Sequence, residues 1–160
     1  MSKKKTFGLL LFLFPFLLGT ACDSTIPTPA NEGYDQIREN TAAMNDSLTI
    51  KIGDREFTAA LLSNPTATAF KALLPLTINM TELNGNEKYF RLSKNLPTNE
   101  SNPGRIKEGD LMLYGSNTLV LFYEGFPTSY SYTRLGRITD TSGLGEALGG
   151  ESVQITIRVK

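Results

Sequence analysis

Residues 109–123 read Gly109-Asp-Leu-Met-Leu-Tyr-Gly-Ser-Asn-Thr-Leu-Val-Leu-Phe-Tyr123. Two apolar runs, 111–114 and 118–123, flank Gly115-Ser-Asn117, a sequence that suits a tight turn. The pattern predicts a β-hairpin. In its second half, Leu119-Val-Leu-Phe122 is apolar at every position and not only at alternate ones. This indicates a strand that is covered on both faces.

Similar strand patterns occur on both sides of this hairpin. Alternating apolar residues predict strands over 48–52, 56–61, 76–83, 88–92, 132–138 and 153–159. Asn64-Pro65 predicts the start of a helix of about ten residues, because Asn caps free amides and Pro suits the first turn. A second short helix is predicted over 142–148.

Eight short strands with two short helices predict a mainly β fold. They favour a closed eight-stranded barrel whose ends the helices plug, since closure removes unpaired strand edges. An open sandwich is the alternative. Residues 93–109 form the longest loop-like stretch, and loops of this length are more often functional or mobile than idle.

The composition restricts the chemistry that the chain can perform. It contains no histidine, no tryptophan and one cysteine, which excludes histidine-based triads and the usual zinc sites. Glu108, Asp110 and Glu124 lie beside predicted turns, where carboxylates are usually solvated or cap the backbone. We therefore predict no catalytic residue, no metal site and no cofactor.

The segment Phe122-Tyr-Glu-Gly-Phe-Pro-Thr-Ser-Tyr-Ser-Tyr-Thr-Arg134 is rich in aromatic residues. Rings, hydroxyls and one cation suit a groove that holds a peptide or a small molecule. The candidate binding residues are Tyr123, Phe126, Tyr130, Tyr132 and Arg134. Alternatively, Phe122, Tyr130 and Tyr132 belong to the core or to a strand face.

Two arginines follow one another on the predicted strand 132–138. Arg134 and Arg137 are three residues apart, so regular alternation predicts that they face opposite sides and that at most one serves a given pocket.

The N-terminus has the features of a secretory signal peptide over residues 1–21. Lys3-Lys-Lys5 precede the apolar run Phe7–Leu18, and Gly19-Thr-Ala-Cys22 forms a cleavage site. The run is shorter than the roughly 20 residues of a membrane span, although an uncleaved anchor is the alternative. Cys22 is the predicted lipidation residue of a bacterial lipoprotein. Gly19 stands where such cleavage sites usually have leucine, and an unmodified Cys22 would leave an exported protein with a free thiol.

Residues 22–46 are predicted to be a lipid anchor and flexible tether, since they are polar and contain Pro27 and Pro29. Residues 47–160 form the predicted domain. Cleavage removes three of the 16 basic residues and none of the 16 acidic ones, which leaves 13 against 16 and a net charge of −3. No basic patch suggests a nucleic acid partner. The expected location is the bacterial cell envelope, with the membrane as a partner through the lipid.

Five segments together resemble the bacterial cyclophilin-like domain that occurs in lipoproteins of gut Bacteroidetes. They are Asn64-Pro-Thr-Ala-Thr-Ala-Phe70, Leu73-Leu-Pro-Leu76, Gly109-Asp-Leu-Met-Leu-Tyr-Gly115, Leu121-Phe-Tyr123 and Tyr132-Thr-Arg-Leu-Gly-Arg-Ile138. The resemblance covers about residues 48–160 and implies an eight-stranded closed barrel with two helices.

The resemblance transfers no catalytic residue. True cyclophilins isomerise X-Pro bonds by placing an arginine over the proline amide beside a hydrophobic pocket. That arginine lies in a Phe-His-Arg motif, and a second histidine and usually a tryptophan line the pocket. This chain has no counterpart of the motif. We expect a non-catalytic module that binds a peptide or small ligand.

Two other functions are open. One is a prolyl isomerase with a non-standard site, with Arg134 or Arg137 as substitute arginines. The other is a structural envelope component, which would have no concave surface near the aromatic segment.

Overall fold

The computed structural model describes the backbone of residues 44–160 and the side chains of residues 46–160. The predicted signal peptide and Cys22 lie outside the described residues, as does the predicted tether up to residue 43. The first strand begins at Met44, earlier than the predicted start at Leu48.

The described residues form eight strands and two helices in a closed barrel. The elements are β1 (Met44–Ile52), β2 (Arg55–Leu62), α1 (Pro65–Lys71), β3 (Leu76–Leu83), β4 (Glu87–Arg91), β5 (Asp110–Tyr114), β6 (Thr118–Phe122), β7 (Thr133–Ile138), α2 (Leu144–Leu148) and β8 (Val153–Val159). The strand order is β1-β2-β7-β5-β6-β4-β3-β8, and β8 pairs with β1. The predicted closed barrel is confirmed, and the open sandwich is wrong.

Both helices contribute to the core inside the barrel. Ala67 and Phe70 of α1 and Leu144 and Leu148 of α2 belong to the same buried cluster as the inward residues of the strands. The helices follow β2 and β7, which run antiparallel beside each other, so α1 and α2 lie at opposite ends. Neither helix within residues 44–160 is long and apolar enough to cross a membrane.

Helix α1 is shorter than predicted. Its cap matches the prediction, since the Asn64 side chain accepts a hydrogen bond from the Ala67 amide at 2.7 Å. The helix has seven residues and ends at Lys71. Leu74 is bonded to the Lys71 carbonyl oxygen in a tighter turn. Pro75 explains this end, because a proline disfavours the helical conformation in the preceding residue.

A β-bulge in β7 changes which way its residues face. Leu111 of β5 lies opposite Gly136, but the next residue, Met112, lies opposite Arg134, so Leu135 is the extra residue. Leu135 and Ile138 are both buried in the barrel core. Their neighbours Arg134 and Arg137 therefore share the outer face. The prediction that these arginines face opposite sides was wrong, because it assumed uninterrupted alternation.

A second buried cluster lies on the outer surface of β5 and β6. It contains Ile106, Met112, Val120, Phe122 and Tyr132, with Tyr89 and Phe126 packed against it. On the same strands, Leu111, Leu113, Leu119 and Leu121 face the barrel core. The prediction that strand 118–123 is covered on both faces is therefore confirmed.

The long loop 93–109 forms part of this outer cover. It pairs with the aromatic segment: the Ile106 amide donates to the Phe126 carbonyl oxygen at 2.8 Å, and Ser101 and Tyr132 exchange two backbone hydrogen bonds of 3.0 Å. Ile106 has no exposed surface. Loop 93–109 thus acts as a packed support that holds residues 126–132 over the barrel wall.

Candidate binding groove

A cleft of about 460 Å³ lies on the outer face of β4, β5 and β6. We call it the groove. Strand alternation and register bring its residues together, since Tyr89 of β4 lies opposite Val120 of β6, and Glu87 and Arg91 share the outward face of Tyr89. The principal lining residues are Glu87, Tyr89, Arg91, Tyr114, Val120, Phe126, Tyr130 and Tyr132.

A continuous chain of aromatic rings forms the floor and one rim of the groove. Ring centroids are 6.2 Å apart for Tyr130–Tyr114, 5.6 Å for Tyr114–Tyr132, 5.6 Å for Tyr132–Phe122 and 5.8 Å for Phe122–Phe126. These separations are those of favourable tilted and edge-to-face pairs. Each ring is thus held in place by its neighbours.

The rim of the groove carries most of the large exposed apolar side chains of the described residues. Large exposed apolar side chains occur at Leu83, Tyr114, Tyr130 and Val159, and the first three of these four line the groove. Tyr130 is 61% exposed and Tyr114 is 48% exposed. Clustered apolar exposure of this kind marks an interaction site, whereas single exposed residues are ordinary.

One end of the groove carries hydrogen-bond acceptors that have no donor. Glu87 is only 9% exposed, and within residues 46–160 its carboxyl group makes no ion pair. Burial, with a further contribution from the nearby negative charge of Glu82, raises the pKa of Glu87 to about 7. The Oδ1 atom of Asn86, which also lines the groove, is buried and has no partner among the described residues.

The opposite end of the groove carries a cation. Arg91 is the last residue of β4 and lies opposite Thr118, which also lines the cleft. Its side chain is exposed and forms no salt bridge within residues 46–160. It is therefore available to an acceptor or anion of a ligand.

Lys88 lies between Glu87 and Tyr89 in sequence but points into the barrel. It is fully buried, and its Nζ donates to Glu82 Oε2 at 2.6 Å and to the Gly149 carbonyl oxygen at 2.9 Å. Burial opposes ionisation of Glu82, but hydrogen bonds from Lys88, Tyr123 and Gly85 hold the pKa of Glu82 below its usual value. This network joins β3 and β4 to the end of α2, and Lys88 does not reach the groove.

The structure brings together three of the five candidate binding residues. Phe126, Tyr130 and Tyr132 line the groove. Tyr123 belongs to the barrel core and donates its hydroxyl to Glu82 at 2.9 Å. Arg134 lies beside a separate cavity of about 310 Å³ between α1, loop 93–109 and β7, where its carbonyl oxygen accepts a hydrogen bond from Asn64 Nδ2 at 2.9 Å.

Sequence reasoning missed five of the eight principal lining residues: Glu87, Tyr89, Arg91, Tyr114 and Val120. The signal was present, because Glu87, Tyr89 and Arg91 are spaced by two and therefore share one face of a strand. Residues 46–160 contain no group of three or more His, Cys, Asp or Glu residues that could hold a metal ion.

Fold and groove define a class of protein: a small closed antiparallel barrel with a cleft on its outer wall. The model of the cyclophilin-like family matches residues 50–158, and the chain belongs to that family. The cyclophilin-like part of the resemblance found in the sequence is thus confirmed.

A solved structure supports the same fold. The chain is similar to the solution structure of a hypothetical protein from Archaeoglobus fulgidus, with a TM-score of 0.51 and 17% identity over 73% of this chain and 96% of that one. At this identity the likeness concerns the fold alone. No curated protein matches the sequence significantly.

The raised pKa of Glu87 predicts a specific pH dependence of stability. Below the ordinary pKa of 4.5 Glu87 is protonated in both the folded and the unfolded state. The favourable contribution of the neutral, buried carboxyl group to the free energy of unfolding is then fully present. That contribution is lost as the pH rises through about 7. Glu87→Gln cannot ionise, so we expect it to be more stable than the wild type above that pH, by at most about 3 kcal/mol.

Urea unfolding below pH 4.5 and at pH 8 measures this difference. Glu124→Gln, at an exposed residue outside the groove lining, is the matched control and should show little change between the two conditions. An equal difference between wild type and Glu87→Gln at both pH values would contradict a buried, titrating Glu87.

Proposed function

We propose that this protein is an exported, lipid-anchored module of the cell envelope whose groove binds a peptide or small-molecule ligand without catalysis. One observation carries the binding proposal: three of the four large exposed apolar side chains of the described residues surround a single cleft. Exposing Tyr114 and Tyr130 to water costs free energy that a ligand would recover by covering them. A purely structural component would have no concave surface near the aromatic segment, so the cleft disfavours that role. Of the three aromatic residues of the segment that line the cleft, Tyr130 is exposed, Phe126 is half-buried and Tyr132 is buried.

The placement of the polar groups supports binding over general acid–base chemistry. Glu87 and Arg91 are four residues apart on one strand, about 13 Å at about 3.3 Å per residue. Proton transfer requires the acid or base within about 3 Å of the reacting atom. This spacing along the strand suits contacts to two ends of one ligand better than joint action on a single bond.

An apolar peptide with both termini blocked tests whether the aromatic residues of the groove bind a ligand without the help of charged groups. N-acetyl-Ala-Phe-Phe-Ala-amide carries no charge, and we expect it to bind through the aromatic rim. Tyr130→Ala and Tyr114→Ala should each weaken its affinity about threefold to tenfold, because an aromatic pair contributes about 1 kcal/mol. Tyr130→Phe keeps the ring and should retain most of the affinity. NMR titration of the purified protein measures the dissociation constants.

Val159→Ala is the matched control, since Val159 is 45% exposed but does not line the groove. It should leave the affinity unchanged. The proposal fails if the peptide does not bind at millimolar concentration, or if the two tyrosine-to-alanine variants bind it as well as the wild type.

Arg91 favours prolyl isomerisation as a second candidate function. It stands at the edge of an apolar groove, the arrangement that the resemblance to cyclophilins implies for an arginine beside a hydrophobic pocket. Arg134 lines the other cavity, and neither Arg134 nor Arg137 lines this groove. Arg91 is therefore a better substitute arginine than either of the two that the sequence suggested.

An exchange assay separates the two candidates. If the groove only binds, the purified protein at micromolar concentration leaves the cis/trans exchange rate of a proline-containing peptide unchanged. An isomerase instead accelerates the exchange, and Arg91→Gln removes that acceleration while Arg105→Gln, at an exposed arginine outside the groove lining, does not. Acceleration of this kind would replace the non-catalytic proposal.

Export and lipidation are supported by the N-terminal sequence. The lysine-rich start, the short apolar run and Cys22 after Gly19-Thr-Ala21 have the order of a cleaved lipoprotein signal. Because stable anchoring needs more than one acyl chain, lipidation of Cys22 would have to add several chains.

Cys22→Ala should move the protein from the membrane fraction to the soluble fraction of the cell envelope. Ser24→Ala, two residues further on, is the control and should stay in the membrane fraction. Fractionation and immunoblotting measure the distribution. A Cys22→Ala protein that remains with the membrane would refute the lipid anchor.

A further inference from the structure

The groove has opposite chemistry at its two ends. Glu87, Tyr89 and Arg91 project from one face of β4, with the carboxyl group at one end, the ring in the middle and the guanidinium at the other end. The two charged residues are separated by about 13 Å along the strand. Between them lie Val120 and the aromatic floor.

The Glu87 end is short of hydrogen-bond donors. Asn86 Oδ1 is buried without a partner, and within residues 46–160 no cation is paired with the Glu87 carboxyl group. The nearest cation in sequence, Lys88, points to the other side of the strand and is fully bonded to Glu82 and to the carbonyl oxygens of Gly149 and Glu151. A buried acceptor without a donor is unfavourable, because its lost hydration is not replaced.

The charges around Glu87 favour a positively charged ligand group at this end of the groove. Glu82, on β3, is negative and raises the pKa of Glu87, and Tyr132, before β7, is neutral with its pKa raised by burial and by Glu87. An ammonium group provides three donors and a positive charge. It would pair with Glu87 and offset the repulsion from Glu82.

We propose that the groove is polarised, with an acidic end and a basic end, and that it binds a short extended peptide. This inference rests on the proposed binding function. The ammonium group of the peptide lies at Glu87, its apolar side chains lie on the aromatic floor, and its carboxylate lies at Arg91. An extended chain rises about 3.3 Å per residue, so a tetrapeptide with free termini spans the groove.

Barrel closure explains why the ends of the ligand matter. Each of the eight described strands has a paired neighbour on both sides, so no free strand edge is offered for a peptide to extend the sheet. A ligand on the outer face has to be recognised through its side chains and its terminal groups. Glu87 and Arg91 are the charged groups of the groove that can recognise those termini.

Four forms of one peptide test the polarity. The probes are Ala-Phe-Phe-Ala with free termini, with an acetylated N-terminus only, with an amidated C-terminus only, and with both termini blocked. Affinities are measured by NMR titration of the wild type, Glu87→Gln and Arg91→Gln at about pH 7.5, between the pKa of Glu87 of about 7 and the pKa of about 8 of a peptide α-amine. Glu124→Gln and Arg105→Gln are charge-matched controls from exposed residues outside the groove lining.

We expect each block to weaken binding to the wild type about fivefold, the effect of a partly screened ion pair. The penalty of acetylation should disappear in Glu87→Gln, and the penalty of amidation should disappear in Arg91→Gln. Each variant should keep the penalty at the other end, and the controls should keep both. This pattern assigns each terminus to one residue.

Three results would overturn the inference. Equal affinity for the peptide with free termini and the peptide with both termini blocked would refute the proposed polarity, while the proposal of an apolar binding groove would stand. Penalties that persist in both variants would place the charged termini elsewhere. Absence of binding for every form of the peptide would remove the polarity and the proposed function together.

Discussion

Strands β5 and β6 must bury both of their faces, and the rest of the structure depends on this constraint. Leu111, Leu113, Leu119 and Leu121 fill the barrel, while Met112, Val120 and Phe122 project from its outer wall. Leaving the outer set in water would cost about 1.5–3 kcal/mol for each large side chain. Loop 93–109 and residues 123–132 therefore fold over the wall and pair with each other. Because this cover stops short of β4, a cleft with an apolar floor remains beside it.

Strand alternation on β4 then determines the electrostatics of the cleft. Lys88 faces inward, where Glu82 and two carbonyl oxygens satisfy it, so its charge is not available on the outer face. Glu87 and Arg91 face outward without partners in the described part of the chain. A shift of the β4 register by one residue would exchange the two faces. The same register that builds the barrel thus leaves a carboxyl group and a guanidinium at opposite ends of one groove.

Much of the fold could be predicted from the sequence because local signals determine it. Alternation of apolar and polar residues located the strands, and Asn64-Pro65 located the start of α1. The unbroken apolar run Leu119–Phe122 indicated a strand that is covered on both faces. The site was less predictable because it depends on register and on one bulge. Leu135 as an extra residue moved Arg134 and Arg137 to a common face, and the β4–β6 pairing brought Glu87 and Arg91 beside aromatic residues that lie more than twenty positions later. No local pattern carries that information, although the spacing of Glu87, Tyr89 and Arg91 already placed them on one face.

The central claim is that the outer wall of β4, β5 and β6 is where this cyclophilin-like domain meets its ligand. Amide chemical-shift mapping with Ala-Phe-Phe-Ala tests it most directly, because it reports the location of binding independently of affinity. The account predicts that the largest shifts occur in residues 84–91, 114–120 and 126–132, around the groove. Shifts concentrated in residues 62–66 and 97–101, around the second cavity, or spread evenly over the barrel, would contradict it.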